Sequence, residues 1–267
     1  MTRFDIGWVG HATVHIDAGG LRLLTDPIVT ARVAHLRRRV TPAPALAPHV
    51  VLISHVHLDH LHAASLQQVV GRAGASTQLV VPRGAASLVR RVCARDTATV
   101  HEVAPGDTIE FAAPDGSPVE VAVTAARHSC RRGPHSRVSA APVGYVVRAA
   151  GRAAYFAGDT DLFPGMRELG PIDVALLPIW GWGPTLGEGH LDPGRAAEAT
   201  EWIDPRHVLP IHWGTYSPIG PRPGPPTWID NPLHAFEAAL AERGLSDRLH
   251  AVRPGGTLDL VAGNPSS

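Results

Sequence analysis

Four apolar runs in this chain each end on a side chain able to hold a metal ion: VVLIS runs into His55, VEVAVTAAR into His128, AAYFAG into Asp159 and HVLPI into His212. Runs of this kind, rich in Val, Ile and Leu and bounded by turn residues, read as buried strands. A fold that keeps them must carry four strand ends, far apart in sequence, to places where polar groups are tolerated. A layered architecture, with sheets packed on each other and helices outside, can gather such ends along one edge.

The first run leads into ISHVHLDHLH, with four histidines and one aspartate in residues 53–62. Crowding of this kind is costly unless a cation satisfies it. If the backbone stays extended, His55 and His57 share a side, because alternate residues of a strand face the same way. Asp59 and His60 lie just past the strand, in a turn, where they can point toward a second position. One tetrahedral zinc takes about four ligands, and two cations need more. His128, Asp159 and His212 are the further candidates. Singly they read as a structural histidine, a capping aspartate and a turn histidine; their shared position at strand ends favours ligands.

The remaining pattern supports the same architecture. FDIGWVG, TVHID and LRLLT alternate, with the hairpin signal Ala18-Gly19-Gly20 between the last two. HVVLIS (49–54) is a strand covered on both faces, followed by a helix from Leu61 to Arg72. QLVVP, TATVHEV, DTIEF and VEVAVTAA are strands, with a turn at Asp115-Gly116. A similar pattern begins near Val143: a hairpin around Gly151, the buried strand IDVALLPI (172–179), the loop GWGPTLGEGH, and a helix over 193–203 with Pro193 in its first turn and Asp192 as N-cap. HVLPIHWGT is again a strand, and 232–245 is a helix stopped by Gly244. The expectation is one α/β domain over residues 1–262, a four-layer αββα sandwich, with a loose tail over 263–267.

Composition narrows the function. Lys plus Arg and Asp plus Glu are each 24, and the pI is near 7.3, so no global charge favours nucleic acid, and no stable nucleic-acid partner is expected. Two cysteines, Cys93 and Cys130, exclude a disulfide framework. The N-terminus lacks the pattern of a signal peptide, and no apolar run approaches the roughly 20 residues that span a bilayer. A cytoplasmic protein is expected, with a homo-oligomer left open.

HVHLDH, together with the later ARHS, AGDT and PIHWGT, resembles the metallo-β-lactamase-fold hydrolases over nearly the whole chain. GHATVHID, LLTDP, GHLDP and IHWGT resemble the branch containing the N-acyl-phosphatidylethanolamine phospholipases D and the ascorbate-6-phosphate lactonases. The resemblance implies one metal held by His55, His57 and His128, and a second held by Asp59, His60 and His212, with Asp159 bridging. Two divalent ions about 3.5–4 Å apart can share a water and lower its pKa toward neutrality. The implied activity is a dinuclear hydrolase that uses a bridging hydroxide on an ester-like bond, a phosphodiester or a lactone. Its substrate is a small molecule or phospholipid-like. Zn2+ is the first expectation, with Mn2+ or Fe2+ as alternatives; His57 stands where a flavodiiron-type redox site would carry an acidic residue. Asp59 can orient the hydroxide or protonate the leaving group. A metal-binding regulatory or scaffold protein without turnover is the alternative.

Other residues carry less. His190, in GEGHLDP, can reach a substrate from a glycine-flanked loop, and His11 can line the same cleft or act structurally. Trp180 and Trp182 suit either a pocket wall or the core. Cys130 reads as a small packed residue. The segment with Arg32, Arg37, Arg38 and Arg39 reads as a solvated loop, while Arg131, Arg132 and Arg137 are placed to meet a substrate phosphate.

Overall fold

In a computed structural model of the chain, residues 4–41, 43–73, 77–93, 98–133, 135–181, 185–220, 229 and 231–259 are described. Alternating FDIGWVG forms β1 (Phe4–Gly10), which turns back into β2 (Thr13–Ala18) and then β3 (Leu21–Thr25). Gly19 and Gly20 join the last two at φ +62° and +85°, a left-handed turn that glycine adopts at no steric cost. Next come β4 (Arg32–Val33), β5 (Leu36–Arg38), β6 (Val50–Leu52), α1 (Ala63–Ala73), β7 (Gln78–Pro82), α2 (Ala86–Val92) and β8 (Thr99–Val103). The second half supplies β9 (Thr108–Ala112), β10 (Pro118–Ala125), β11 (Val143–Ala149), β12 (Arg152–Phe156) and β13 (Val174–Pro178). It continues with α3 (Pro193–Ile203), β14 (His207–Ile211), β15 (Tyr216–Pro218), α4 (Asn231–Glu242) and β16 (Thr257–Asp259).

Seven strands form one sheet in the order β16-β1-β2-β3-β6-β7-β8, and six form another in the order β14-β13-β12-β11-β10-β9. Alternation assigns the faces of the first sheet. Leu23, Val50, Leu52 and Val80 pack into the core shared with Val121, Tyr145 and Phe156 of the second sheet. Leu24, Val51, Leu79 and Val81 turn the other way, onto Leu66 and Val69 of α1 and Val89 of α2. Ala196 and Ala197 of α3 and Phe236 of α4 are buried over the second sheet. The layers are therefore αββα. Each buried Val, Leu or Ile contributes about 1.5–3 kcal/mol, so the double-faced burial of these strands is the main reason the layers hold.

Strand direction brings the site together. β10 and β12 are both antiparallel to β11, while β12, β13 and β14 are mutually parallel. The runs that lead to His128, Asp159 and His212 consequently all exit at the same edge. The first sheet is tied to that edge where Ser54 O accepts from Val143 N at 3.0 Å and Ile53 O accepts from the Tyr145 hydroxyl at 2.7 Å. Gly158 makes the close approach feasible: it has φ +61°, and a Cβ there would lie 2.6 Å from Ser54 Cβ.

The helix ends follow the residues. Asp192 caps α3 by accepting from Arg195 N at 2.8 Å, Pro193 occupies the first turn, and Gly244, at φ +69°, terminates the chain turn after α4. Three features depart from expectation. The short helix α2 follows Gly84 without a side-chain cap, so its sequence carries no start signal. Residues 31–40 are not a solvated loop: β4 pairs with β5, and β5 with β15, in a third sheet. Within that segment Arg32, Arg37 and Arg39 are exposed, but Arg38 donates to Val9 O at 2.5 Å and Thr41 O at 2.9 Å and serves as a stitch. The tail 263–267 lies outside the described residues. No helix among the described residues is long and apolar enough to cross a membrane.

Candidate metal centre

Beyond β6 the chain leaves the sheet, and His57 O accepts from His60 N at 3.2 Å and Leu61 N at 2.9 Å, closing a turn that aims Asp59 and His60 inward. Arg132 holds this turn from outside: its Nη1 donates to Val56 O at 2.7 Å and to Leu61 O at 3.1 Å. The ligand atoms of His55, His57 and His128 fall within 4.8 Å of one another, as do those of His11, Asp59, His60 and His212. Asp159 lies between the two groups. Its Oδ2 is 3.2 Å from His60 Nε2 and 4.0 Å from His128 Nε2, and its Oδ1 is 3.2 Å from His212 Nε2. Every strand-end residue singled out by its position is thus brought to one place.

The outward-facing nitrogens determine what the inward-facing ones present. His60 Nδ1 donates to Asp26 Oδ2 at 2.7 Å, His128 Nδ1 to Gly189 O at 2.7 Å, and His212 Nδ1 to Trp180 O at 2.6 Å. Each partner can only accept, so in the neutral imidazoles the proton sits on Nδ1 and Nε2 offers a lone pair. Ser54 Oγ donates to Asp26 Oδ2 and accepts from His55 Nδ1 at 2.9 Å, which assigns His55 the same tautomer. Imidazole nitrogens then crowd together: His60 Nε2 is 3.2 Å from His212 Nε2, and His128 Nε2 is 3.0 Å from His57 Nδ1. His55 Nε2 and Asp159 Oδ1 are buried without a hydrogen-bond partner. Convergent imidazole nitrogens, orphaned atoms and an adjoining carboxylate suit divalent cations such as zinc.

Electrostatics keep four of these imidazoles neutral, while His60 without a cation carries a second proton, on Nε2, that a bound cation would displace. Burial pushes the His212 imidazole down to about 3 and lowers His55, His57 and His128, with neighbouring imidazoles adding to the effect at His55 and His57. Burial also opposes protonation of His60, but the Asp159, Asp59 and Asp26 carboxylates outweigh it and raise its pKa well above the usual histidine value. Asp159 and Asp59 are held well below the ordinary carboxylate range: burial opposes their ionisation, and His212 and His60 overcome it for Asp159, His60 and His11 for Asp59.

A pH dependence of the chelator-treated chain follows. Below about pH 6.5 an unfolded chain protonates its histidines, whereas His55, His57, His128 and His212 resist protonation when folded, so stability falls on acidification. His60 does not offset this loss: its contribution is already fully present below 6.5 and is lost only as pH rises through its raised value. The carboxylate contributions persist until pH falls through their depressed values, below this window. The urea midpoint should therefore drop between pH 6.5 and 4.5; a flat or rising midpoint contradicts neutral imidazoles.

A cleft of about 420 Å³ opens over the cluster, lined by His57, Leu58, Asp59, Arg132, Leu186 and His190 among others. His190 Nε2 is 3.7 Å from Asp159 Oδ2, and its ring centroid is 4.5 Å from that of His128. Other expectations change. Arg132 spends Nη1 on the backbone of the turn, so loop support is its first role, while Arg131 and Arg137 are exposed. Cys130 is exposed, not packed, because the strand has ended and its carbonyl accepts from Ala140 N. Trp180 packs partly buried against the core and lends its carbonyl to His212; Trp182 lies outside the described residues. Asp26 went unassigned in the sequence. An aspartate directly after the apolar run LRLLT was the available signal, the same signal that marked Asp159.

Helices outside two sheets, with imidazoles and carboxylates gathered where the strands exit, define the class of metallo-β-lactamase-fold proteins. Residues 21–213 match the family model described as "Beta-lactamase superfamily domain", and the chain belongs to that superfamily. Among curated relatives, it is 30% identical over 231 residues to the N-acyl-phosphatidylethanolamine-hydrolyzing phospholipase D 1 of Caenorhabditis elegans. That match covers 80% of this chain and 64% of the relative's length. It is 31% identical over 255 residues to a UPF0173 metal-dependent hydrolase of Methanopyrus kandleri, covering 94% of this chain and 97% of that one. The solved structure of a metallo hydrolase from Ignicoccus hospitalis superposes with a TM-score of 0.72 at 24% identity, over 98% of this chain and 100% of that chain, a likeness of fold.

Proposed function

We propose that the chain is a hydrolase of ester-like bonds, phosphodiester or lactone, working with two divalent cations, zinc first among them. His55, His57 and His128 would hold one, Asp59, His60 and His212 the other, with Asp159 shared. The observation that carries this reading is the convergence of imidazole nitrogens on either side of a carboxylate whose Oδ1 has no hydrogen-bond partner. Cations bound there supply a water of lowered pKa and stabilise charge on the attacked group.

The chain's own groups do the rest. Asp59 lines the cleft floor, where it can orient the water and hold a proton. His190, beside Asp159 in the cleft wall, is placed to protonate a leaving oxygen. Leu58, half exposed at the cleft, and Leu186 offer apolar surface to the substrate body, which suits a phospholipid-like molecule as well as a small lactone. Two relatives named as a phospholipid-hydrolysing enzyme and a metal-dependent hydrolase support the same class. A cytoplasmic location accords with this reading.

The test is metal analysis and a substrate panel on one preparation. Zinc- or manganese-loaded protein should cleave bis-p-nitrophenyl phosphate or a simple lactone, and Asp59→Asn should lower turnover about a hundredfold or more even at metal concentrations that keep both positions filled. Two bound equivalents with no hydrolysis across a broad ester and lactone panel would assign the chain to metal binding without turnover.

A further inference from the structure

His11 is not among the residues that the proposed function uses, yet the fold goes to some length to place it. It sits in the turn between β1 and β2, where the strand register shifts between Trp8 and Gly10. Its φ is +53°, a left-handed conformation that a non-glycine residue holds only when its surroundings compel it. Those surroundings are explicit. His11 N donates to Thr215 Oγ1 at 2.7 Å, and His11 O accepts from His212 N at 3.0 Å and from Trp8 Nε1 at 2.8 Å. The side chain is 4% exposed, and its ring lies 3.8 Å from the His212 ring, centroid to centroid.

So held, His11 directs Nε2 to Asp59 Oδ2 at 3.1 Å, the one hydrogen bond that the described residues give this carboxylate. The same oxygen is 3.7 Å from His60 Nε2 and 3.9 Å from His212 Nε2. A core histidine placed only to fill space would have no need to meet a carboxylate; an apolar side chain of equal volume would fill the space and leave Asp59 without a donor. His11 also joins the two halves of the chain at this point, through its main-chain carbonyl to His212 and its imidazole to Asp59.

We propose that His11 is a positioning residue for Asp59: its Nε2–H holds Oδ2 beside His60 and His212, and so sets the affinity of that cation position and not of the one formed by His55, His57 and His128. The assignment rests on the two-cation reading above. It predicts a selective effect. Loss of an outer partner of a ligand typically costs 10–100-fold in metal affinity, and here the loss should fall on one equivalent of two.

The experiment is calorimetric titration of chelator-treated protein with Zn2+, with metal content checked by elemental analysis, for the wild type, His11→Ala, His11→Gln and His11→Asn. A Gln amide nitrogen reaches the place of Nε2, while that of Asn stops near the place of Nδ1. The expected result is two equivalents in the wild type, a second equivalent weakened about 10–100-fold in His11→Ala and His11→Asn, an unchanged first equivalent, and recovery to within a few-fold in His11→Gln. If His11→Ala does not fold, the Gln and Asn variants carry the comparison. Equal weakening of both equivalents, failure of Gln to outperform Asn, or wild-type affinity in all variants overturns the assignment. A wild type that takes up one equivalent only overturns the two-cation reading, and this assignment with it.

Discussion

Asp26→Asn is expected to weaken metal binding by more than about a hundredfold while leaving the chain folded. Asp26 is wholly buried, and its two oxygens accept from Ser54 N, Ser54 Oγ and His60 Nδ1. Asn has the same shape but must place an amide N–H₂ on one side. Toward Ser54 N it would meet another donor, so it turns toward Ser54 Oγ and His60. There it donates, which drives the His60 proton from Nδ1 to Nε2. Ser54 Oγ, now accepting, directs its own hydrogen to His55 Nδ1 and drives that proton across as well. Both imidazoles then carry a proton on the nitrogen that faces the cluster. Metal titration together with thermal denaturation checks this. Wild-type affinity in a folded Asp26→Asn variant would show that the tautomers are not set by Asp26. Asp26→Ala should also lose about 3 kcal/mol or more of stability, because it strands buried partners, with a lower urea midpoint as the readout.

The second large effect is expected at Asp159. This carboxylate is 3.2 Å from both His60 Nε2 and His212 Nε2 and 4.0 Å from His128 Nε2, so it is the anion common to both clusters. In Asp159→Asn one side becomes a donor and the shared negative charge is gone. Turnover should fall about a thousandfold, the scale seen when a preorganised electrostatic group is removed from an active site, and bound metal should fall from two equivalents toward one. Both quantities are measured on one preparation, with circular dichroism to confirm folding. Two equivalents and near-normal turnover would remove Asp159 from its bridging role. Gly158 tolerates no side chain, since a Cβ there would lie 2.6 Å from Ser54, so substitutions on that side of the loop do not probe the carboxylate cleanly.

What was legible locally was what local chemistry decides. Alternation in FDIGWVG and TVHID, the Gly19-Gly20 and Asp115-Gly116 turns, and the Asp192-Pro193 start of α3 depend on neighbours within a few residues, and each can be read from the chain. The residues that converge were marked by the same means, because an apolar run that stops on His or Asp is a local pattern. Less was legible where a residue's partner is distant. β5 pairs with β15 through Arg38 and Tyr216, far apart in the chain, so Arg38 could be read only as part of a basic loop. Arg132 looked free to meet a phosphate until the turn carbonyls of Val56 and Leu61 came within reach of its guanidinium. Cys130 looked small enough to pack, but it lies beyond the end of β10 and faces out.

By itself, then, the sequence determined the strands, the turns and the metal-capable residues at the strand ends, since backbone preference and apolar periodicity act over short distances. The tertiary structure alone decided that β10, β12 and β14 exit at one edge, that His55, His60, His128 and His212 keep a proton on Nδ1, and that Asp26 and His11 stand behind His60 and Asp59. These are matters of hydrogen bonds between groups dozens to hundreds of residues apart. A donor commits to an acceptor only once packing has brought the two within about 3 Å.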